Sequence, residues 1–158
     1  MKKTNLLLGA LALSVLPFAA VPAIADDKAA VQTLYDLLSN PASESHAKAF
    51  KASVSDDWES IGDYSGKNKT ADGLIGQLGG FAKLIPDLNW QVEEMIVSGN
   101  KVIVRGRGSG TPAGPFFGVD GKGKSFEIMS IDIHTLEDGK IVETHHVEDW
   151  AGAIGQLK

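Results

Sequence analysis

The spacing of apolar residues divides the chain into a helical first half and a strand-rich second half. In the first half, three stretches repeat apolar residues at the helical spacing i, i+3, i+4 and i+7, centred on residues 31–38, 47–54 and 74–85. Ser43 and Thr70 are placed to cap the second and third helices, while Pro41 and Pro86 end the first and third. Residues 58–69 are rich in Gly, Asp, Ser and Asn, so we expect them to be irregular.

From residue 88 onward the hydrophobic period falls towards two, which predicts strands. We expect one hairpin from residues 88–98 and 101–109 and a second from residues 125–136 and 141–147. Asp138-Gly139 is the clearest turn signal. Residues 106–123 hold seven glycines and two prolines and predict a long loop or bulged strand between the hairpins. Residues 150–157 predict a short amphipathic helix.

Helices followed by an antiparallel meander predict an α+β fold. In such a fold a curved, mostly antiparallel sheet wraps around the N-terminal helices and buries one face against them, which makes a cone with an open end. The interior of the cone, mostly apolar with a few converging polar groups, is where a small molecule would fit.

Composition excludes several classes of function. The 158 residues carry 15 Lys and Arg against 20 Asp and Glu, a net charge of -5, which removes the usual electrostatic basis for nucleic-acid binding. There is no cysteine, so disulfides, thiolate zinc sites and cysteine nucleophiles are excluded. Chemistry in this protein must therefore come from His, carboxylates, Arg, hydroxyls or the backbone.

The N-terminus has the pattern of a secretory signal peptide. Two lysines precede a mostly apolar stretch, residues 6–20, and Ala23-Ile24-Ala25 forms a small-x-small cleavage site. Pro17 and Pro22 interrupt the apolar stretch, which argues against a membrane anchor. We expect residues 1–25 to be cleaved and residues 26–158 to form a single periplasmic or secreted domain without an anchor.

Polar residues cluster at one end of the second hairpin. One face of the first strand carries Phe126, Ser130, Asp132 and His134. Alternation along the partner strand, counted from Ile141, places Glu143, His145 and Val147 on one face and His146 and Glu148 on the other. His134 with Asp149 is a chemically plausible acid/base pair, because a histidine titrates near neutrality and a half-buried Asp can be tuned upward.

Each of these residues also has a structural explanation. Asp149 precedes the terminal helix and is placed to be its N-cap. Asp132 and His134 fit strand-end residues bonded to water or backbone. His145 and His146 are adjacent and face opposite ways, so at least one is an outward or packing residue. Arg105 and Arg107 are typical of a solvated strand edge. The spacing of the histidines and carboxylates matches no standard metal signature, so we expect no metal or other cofactor.

The second half of the chain resembles the SnoaL-like polyketide cyclases, also called ester cyclases. The resemblance is carried by the order and spacing of five short runs. They are Gly-Thr-Pro-Ala-Gly-Pro-Phe-Phe-Gly at 110–118, Gly-Lys-Ser-Phe at 123–126, Asp-Gly-Lys-Ile-Val-Glu at 138–143, Asp-Trp at 149–150 and Gln-Leu at 156–157. It implies the cone-shaped fold of nuclear transport factor two, ketosteroid isomerase and scytalone dehydratase, and homodimers or higher oligomers formed through the open sheet.

The resemblance also implies residue roles. Family cyclases close a ring by intramolecular aldol condensation without a cofactor, using an acidic residue near the end of the last strand, which matches Asp149. A His on the neighbouring strand assists in some members, and His134 matches it. Two positions depart from the family: Pro112 stands where many relatives have His, and His145 where they often have Trp. A signal peptide also argues against literal polyketide cyclisation, which uses cytoplasmic intermediates.

The leading hypothesis is an exported SnoaL-like protein whose pocket binds a small apolar or aromatic molecule. It would perform cofactor-free cyclase, isomerase or lyase chemistry through Asp149 and His134. The expected substrate contacts are Trp90, Arg105, Phe126, Asp132 and His145. Two alternatives remain open: a non-catalytic small-ligand binding protein, and a module whose sheet merely dimerises.

Overall fold

The computed structural model describes residues 21–158, in which four helices and five strands are present. In chain order these are α1 (Val21–Ser39), α2 (Glu44–Ser53), β1 (Val54–Ile61), α3 (Ala71–Leu84), β2 (Asn89–Ser98), β3 (Lys101–Gly110), β4 (Phe126–Glu137), β5 (Lys140–Glu148) and α4 (Trp150–Leu157). Residues 1–20 of the expected signal peptide lie outside the described residues, so the signal peptide stays a prediction. Within residues 21–158, no helix is both long enough and apolar enough to cross a membrane.

The helix boundaries follow the predicted capping residues. The side chain of Ser43 accepts a hydrogen bond from the backbone N–H of His46 at 3.4 Å, and that of Thr70 accepts one from Gly73 at 3.2 Å. Each bond satisfies a backbone donor that the first turn of a helix leaves free. The predicted ends of α1 and α3, before Pro41 and Pro86, are confirmed.

The strands form one sheet in the order β1-β5-β4-β3-β2. The pairs β2–β3, β3–β4 and β4–β5 are antiparallel, as predicted, and β1 pairs with β5 in parallel, which makes the sheet mixed. Asp138 and Gly139 both have positive φ, 49° and 75°, as the two-residue hairpin turn between β4 and β5 requires. The predicted α+β class is confirmed.

The prediction that residues 58–69 are irregular was wrong over residues 58–61, because Val54–Ile61 is the edge strand β1. Only Val54, Trp58 and Ser60 are buried along it, and an irregularity in the pairing with β5 lies between Val54 and Glu59. An edge strand exposes most of its side chains to solvent and tolerates charged residues there. Polar residues and a bulge together remove the alternation by which a strand is recognised from sequence.

The core lies between the helices and the inner face of the sheet, and two glycines of β3 make room for it. Gly106 and Gly108 are buried, and the indole of Trp90 from β2 lies across Gly108. A Cβ at Gly108 would come within 2.9 Å of the Trp90 ring. The absence of a side chain at this position therefore sets where the Trp90 ring lies.

Gly108→Ala is expected to lower the free energy of unfolding by about 1–3 kcal/mol, because the added methyl group overpacks the rigid indole. The matched control is Gly76→Ala on the exposed side of α3, where a Cβ would meet nothing within 4 Å. Removing a helix glycine there is expected to raise stability by up to about 1 kcal/mol. Urea denaturation of both variants checks the prediction. Changes of the same sign in the free energy of unfolding of the two variants would contradict it.

Candidate active site

A cavity of about 150 Å³ lies between α1, α3 and the inner face of the sheet. Five aromatic side chains line it: Trp58, Phe81, Trp90, Phe117 and Trp150. The rings of Phe81, Trp90 and Phe117 lie at centroid distances of 6.0–6.3 Å from that of Trp150. Ten of the lining residues are apolar and seven are polar: Ser60, Lys69, Gln77, Asp132, Thr144, His146 and Glu148. A mostly apolar wall with a few polar groups is typical of a small-molecule site.

A chain of buried hydrogen bonds ends on Asp132. The Trp58 indole N–H donates to Thr144 Oγ1 at 3.1 Å, which leaves the threonine hydroxyl to donate to His134 Nδ1 at 3.0 Å. His134 Nε2 then donates to Tyr35 Oη at 3.0 Å, and the tyrosine hydroxyl donates to Asp132 Oδ2 at 2.9 Å. An indole N–H can only donate and a carboxylate can only accept, so the two ends fix the direction of the hydrogen bonds. Each group between them accepts one hydrogen bond and donates one.

Burial keeps two titratable groups of this hydrogen-bond chain, His134 and Tyr35, in their neutral forms. His134 is fully buried, and desolvation, aided by nearby His146, lowers its pKa to about 4, so the ring is neutral at pH 7. Desolvation also raises the pKa of the Tyr35 hydroxyl, which keeps it a proton donor. The neutral ring and the protonated hydroxyl are the forms that the hydrogen-bond chain requires.

Asp132 has the chemistry of a general base. Burial raises the pKa of its carboxyl to about 6, and the charge of Glu148 adds to the increase, while hydrogen bonds from Tyr35 and Ser130 oppose it. Both hydrogen bonds reach Oδ2, at 2.9 Å and 3.1 Å. Oδ1 has no hydrogen-bond donor among residues 21–158 and is not sealed from solvent, so it is the oxygen left for the cavity.

A histidine–carboxylate pair stands beside Asp132. His146 Nδ1 lies 2.7 Å from Glu148 Oε1, and Trp150 Nε1 donates to Glu148 Oε2 at 3.2 Å. The His146 ring packs over Gly62, where a Cβ would come within 3.0 Å of it. Glu148, held by the indole, therefore fixes the His146 ring and favours a proton on Nδ1.

Asp132, His146 and Glu148 each offer one ligand atom, and these atoms lie within 4.8 Å of one another. Oxygen and imidazole donors at this spacing could take a divalent cation. The same spacing places the three groups close enough to contact one bound molecule.

The family model for the SnoaL-like polyketide cyclases matches residues 29–157. The chain belongs to the SnoaL-like polyketide cyclase family. The resemblance inferred from the five sequence runs is thereby confirmed, and the match also includes the helical half. No curated protein is significantly similar in sequence to this SnoaL-like chain.

Solved structures have the same fold. TsrD from Streptomyces laurentii is 20% identical, with a TM-score of 0.71 over 84% of this chain and 95% of that one. IdmH from Streptomyces antibioticus is 22% identical, with a TM-score of 0.71 over 83% of this chain and 97% of that one. These neighbours confirm the fold of the SnoaL-like chain, including the mixed sheet.

Three of the residues that the sequence suggested for the site lie at or behind the cavity. Trp90 and Asp132 line it directly. His134 does not line it and reaches Asp132 only through Tyr35. In this SnoaL-like protein His134 is therefore placed to position Asp132, not to touch a bound molecule.

The other four suggested residues lie elsewhere. Asp149 is exposed and its Oδ1 accepts a hydrogen bond from Gly152 N at 2.8 Å, the geometry of the helix-capping alternative. Phe126 is buried in the core, stacked on Phe116, and does not line the cavity. Arg105 and His145 are exposed on the outer face of the sheet, beside Glu94 at 3.5 Å and Glu143 at 3.2 Å.

Sequence reasoning missed four groups of the site: Tyr35, Thr144, His146 and Glu148. The last three share the inner face of the sheet with Ser130, Asp132 and His134, their pairing partners on β4, but a register shift in the hairpin hides this pairing from the sequence. In that order, the three β4 residues pair with Glu148, His146 and Thr144. Tyr35 offered no signal beyond a place on the apolar stripe of α1.

Proposed function

We propose that this protein converts a small carbonyl compound to its enolate in the cavity, with Asp132 as general base and no cofactor. The observation that carries the proposal is a buried carboxyl with a pKa of about 6 and one oxygen free, set in an aromatic cavity. A base with a pKa near neutrality is both ionised and strong enough to accept a proton at physiological pH. Family membership supports the same class of chemistry.

The proposed step moves one proton and two electron pairs of the substrate. Asp132 Oδ1 takes a proton from the carbon next to the carbonyl, and the C–H electron pair forms the enolate double bond. The carbonyl π pair moves onto oxygen. Where a double bond is conjugated with the enolate, return of the proton to the far carbon of that bond is an isomerisation. Attack of the enolate on a second carbonyl of the same molecule is a cyclisation.

The enolate oxygen needs a hydrogen-bond donor, and the ammonium group of Lys69 or the side-chain amide of Gln77, both of which line the cavity, is the proposed source. His146 is not that donor, because its Nδ1 proton is directed at Glu148 and its Nε2 is buried without a hydrogen-bond partner. A preorganised donor at developing negative charge is commonly worth several kcal/mol of barrier. Asp149 has no part in this proposal, because its carboxylate caps α4 outside the cavity.

Deuterium exchange tests the proposal without knowledge of the natural substrate. The protein is incubated in D₂O with acetone, acetophenone and 2-acetonaphthone, and exchange at the methyl hydrogens is followed by NMR. The rate above buffer is expected to rise between pH 5 and pH 7 and then level, because the active form is the carboxylate of a group with a pKa of about 6. No acceleration of any ketone over this pH range would contradict the proposal, and binding without exchange would indicate a non-catalytic carrier.

We also propose that the protein is a homodimer formed through the outer face of the sheet. Three apolar side chains are exposed there on β4 and β5: Met129, Ile133 and Val147. An apolar patch on a sheet face is typical of a protein interface. Sedimentation equilibrium at micromolar concentration is expected to give twice the chain mass, and a monomer would contradict the proposal.

Export remains the proposal for the location of the protein. It is supported by the charged, apolar and small-x-small regions of residues 1–25. N-terminal sequencing of protein expressed from the full gene in a bacterial host is expected to begin at Asp26 in the periplasmic or extracellular fraction. A protein that begins at Met1 in the cytoplasm would contradict it.

A further inference from the structure

The size of the cavity limits what it can hold. Its volume is about 150 Å³. An engineered apolar cavity of about the same volume in another protein binds benzene, so this space fits one six-membered ring and little more. The five aromatic side chains that line it offer flat surfaces for such a ring.

Phe117 adopts a backbone conformation that its side chain disfavours. Its φ is 48°, and that of Gly118 is 78°. The two residues form a tight turn closed by reciprocal backbone hydrogen bonds between Phe116 and Val119, at 2.9 Å and 3.0 Å. Both central residues of this turn have left-handed backbone angles, a conformation that suits glycine and is costly for a bulky residue. Strain of this kind is commonly kept at ligand-binding positions.

The Phe117 ring lies at the cavity while remaining open to solvent. It lines the cavity and packs at 6.0 Å from Trp150 and 4.5 Å from Phe116, yet 59% of the residue is exposed. Burial in the core does not explain this aromatic side chain, and a glycine would suit its backbone better. A ligand covering the ring would explain both features.

We propose that Phe117 is a specificity residue, closing the cavity over the single ring of a monocyclic aromatic ketone and excluding a second fused ring. The carbonyl part of this substrate class rests on the function proposed above, because it places the carbonyl near Asp132. The limit of one ring rests only on the cavity volume and on Phe117.

Binding of two ketones that differ by one fused ring tests the proposal. Isothermal titration calorimetry of the full chain is expected to show acetophenone binding at least ten times more tightly than 2-acetonaphthone. In Phe117→Gly, the affinity for acetophenone is expected to fall and the affinity for 2-acetonaphthone to rise. The ratio of the two affinities is expected to fall at least five-fold. The melting temperature of this variant is expected not to fall, because glycine relieves the strained backbone.

Two further variants separate the ring from the backbone. Phe117→Ala also removes the ring, so it should lower the selectivity as much as Phe117→Gly does. Because it keeps a Cβ at positive φ, its melting temperature should be below that of Phe117→Gly. Tyr64→Ala removes an exposed aromatic ring away from the cavity, and its selectivity should equal that of the unaltered protein. Equal or tighter binding of 2-acetonaphthone to the unaltered protein, or unchanged selectivity in Phe117→Gly, would overturn the proposal.

The two proposals fail in different ways. Selective binding of acetophenone without deuterium exchange would overturn the catalytic proposal and leave the ring-size limit standing. Exchange of both aromatic ketones at equal rates, with equal affinities, would overturn the ring-size limit and leave catalysis by Asp132 standing.

Discussion

Asp132→Asn is expected to lower the rate of methyl deuterium exchange by at least about 100-fold, the usual scale of general-base catalysis. Asparagine has nearly the same shape as aspartate, and its amide oxygen can still accept the hydrogen bond from Tyr35. The variant therefore keeps the geometry of the site but has no carboxylate to accept a proton. NMR measurement of exchange at pH 7 checks the result.

Asp149→Asn is the discriminating control for this experiment. Asparagine caps helices about as well as aspartate, so the fold is expected to persist. Because Asp149 lies outside the cavity, the exchange rate is expected to stay within about two-fold of the unaltered protein, well below the effects of general-base residues. A large loss in Asp149→Asn with full activity in Asp132→Asn would restore the assignment that the sequence suggested.

Tyr35→Phe is expected to lower the free energy of unfolding by about 1–3 kcal/mol and to move the rise in exchange rate to higher pH. The lost hydroxyl leaves His134 Nε2 without a buried partner and leaves Asp132 Oδ2 with only the hydrogen bond from Ser130. The pH change has a definite sign: the Tyr35 hydrogen bond lowers the pKa of Asp132, so removing it raises that pKa. More alkaline solution is then needed to ionise the base.

Tyr64→Phe provides the matched control, because Tyr64 is fully exposed and the same hydroxyl is removed. Its free energy of unfolding should change by less than about 0.5 kcal/mol and its pH profile should not move. Urea denaturation and exchange measured from pH 5 to pH 8 give both quantities. A pH profile that moves to lower values in Tyr35→Phe would show that the hydroxyl does not stabilise the ionised carboxylate.

The helices and the two hairpins could be predicted from sequence because their signals are local. Ser43 and Thr70 cap helices through backbone groups three residues away, and Asp138-Gly139 makes its turn within four residues. β1 could not be recognised, since its pairing partner β5 lies some 80 residues later and its exposed side chains are polar. The difference lies in whether the stabilising contacts are near in sequence.

The inner face of β5 was assigned wrongly because of a single extra residue. Counting back from the Asp138-Gly139 turn pairs Asp132 with His145, whereas the structure pairs it with His146. The register shifts between Thr135 and Leu136, so β5 carries one unpaired residue, and every later side chain changes face. No glycine marks this bulge, so alternation alone could not reveal that His146 and Glu148 point inward.

A second bulge has the same effect on β2. The pairing with β3 shifts between Val92 and Glu94, which turns Met95 and Val97 towards the core and leaves Ile96 exposed. Tyr35 illustrates a different limit. Its hydroxyl bonds to Asp132, 97 residues away, a contact that depends on how α1 lies on the finished sheet. Sequence patterns report periodicity, and they do not report tertiary distance.

The parallel pairing of β1 with β5 determines the order in which the molecule can assemble. Strands β2 to β5 are joined to their neighbours by short or moderate connections, so their meander closes small loops. Joining β1 to β5 closes a loop of more than 80 residues and carries a larger entropic cost. We therefore expect pulse-labelled amides of β1 to gain protection last during refolding, so that newly made chains expose an unfinished apolar cavity until that strand docks.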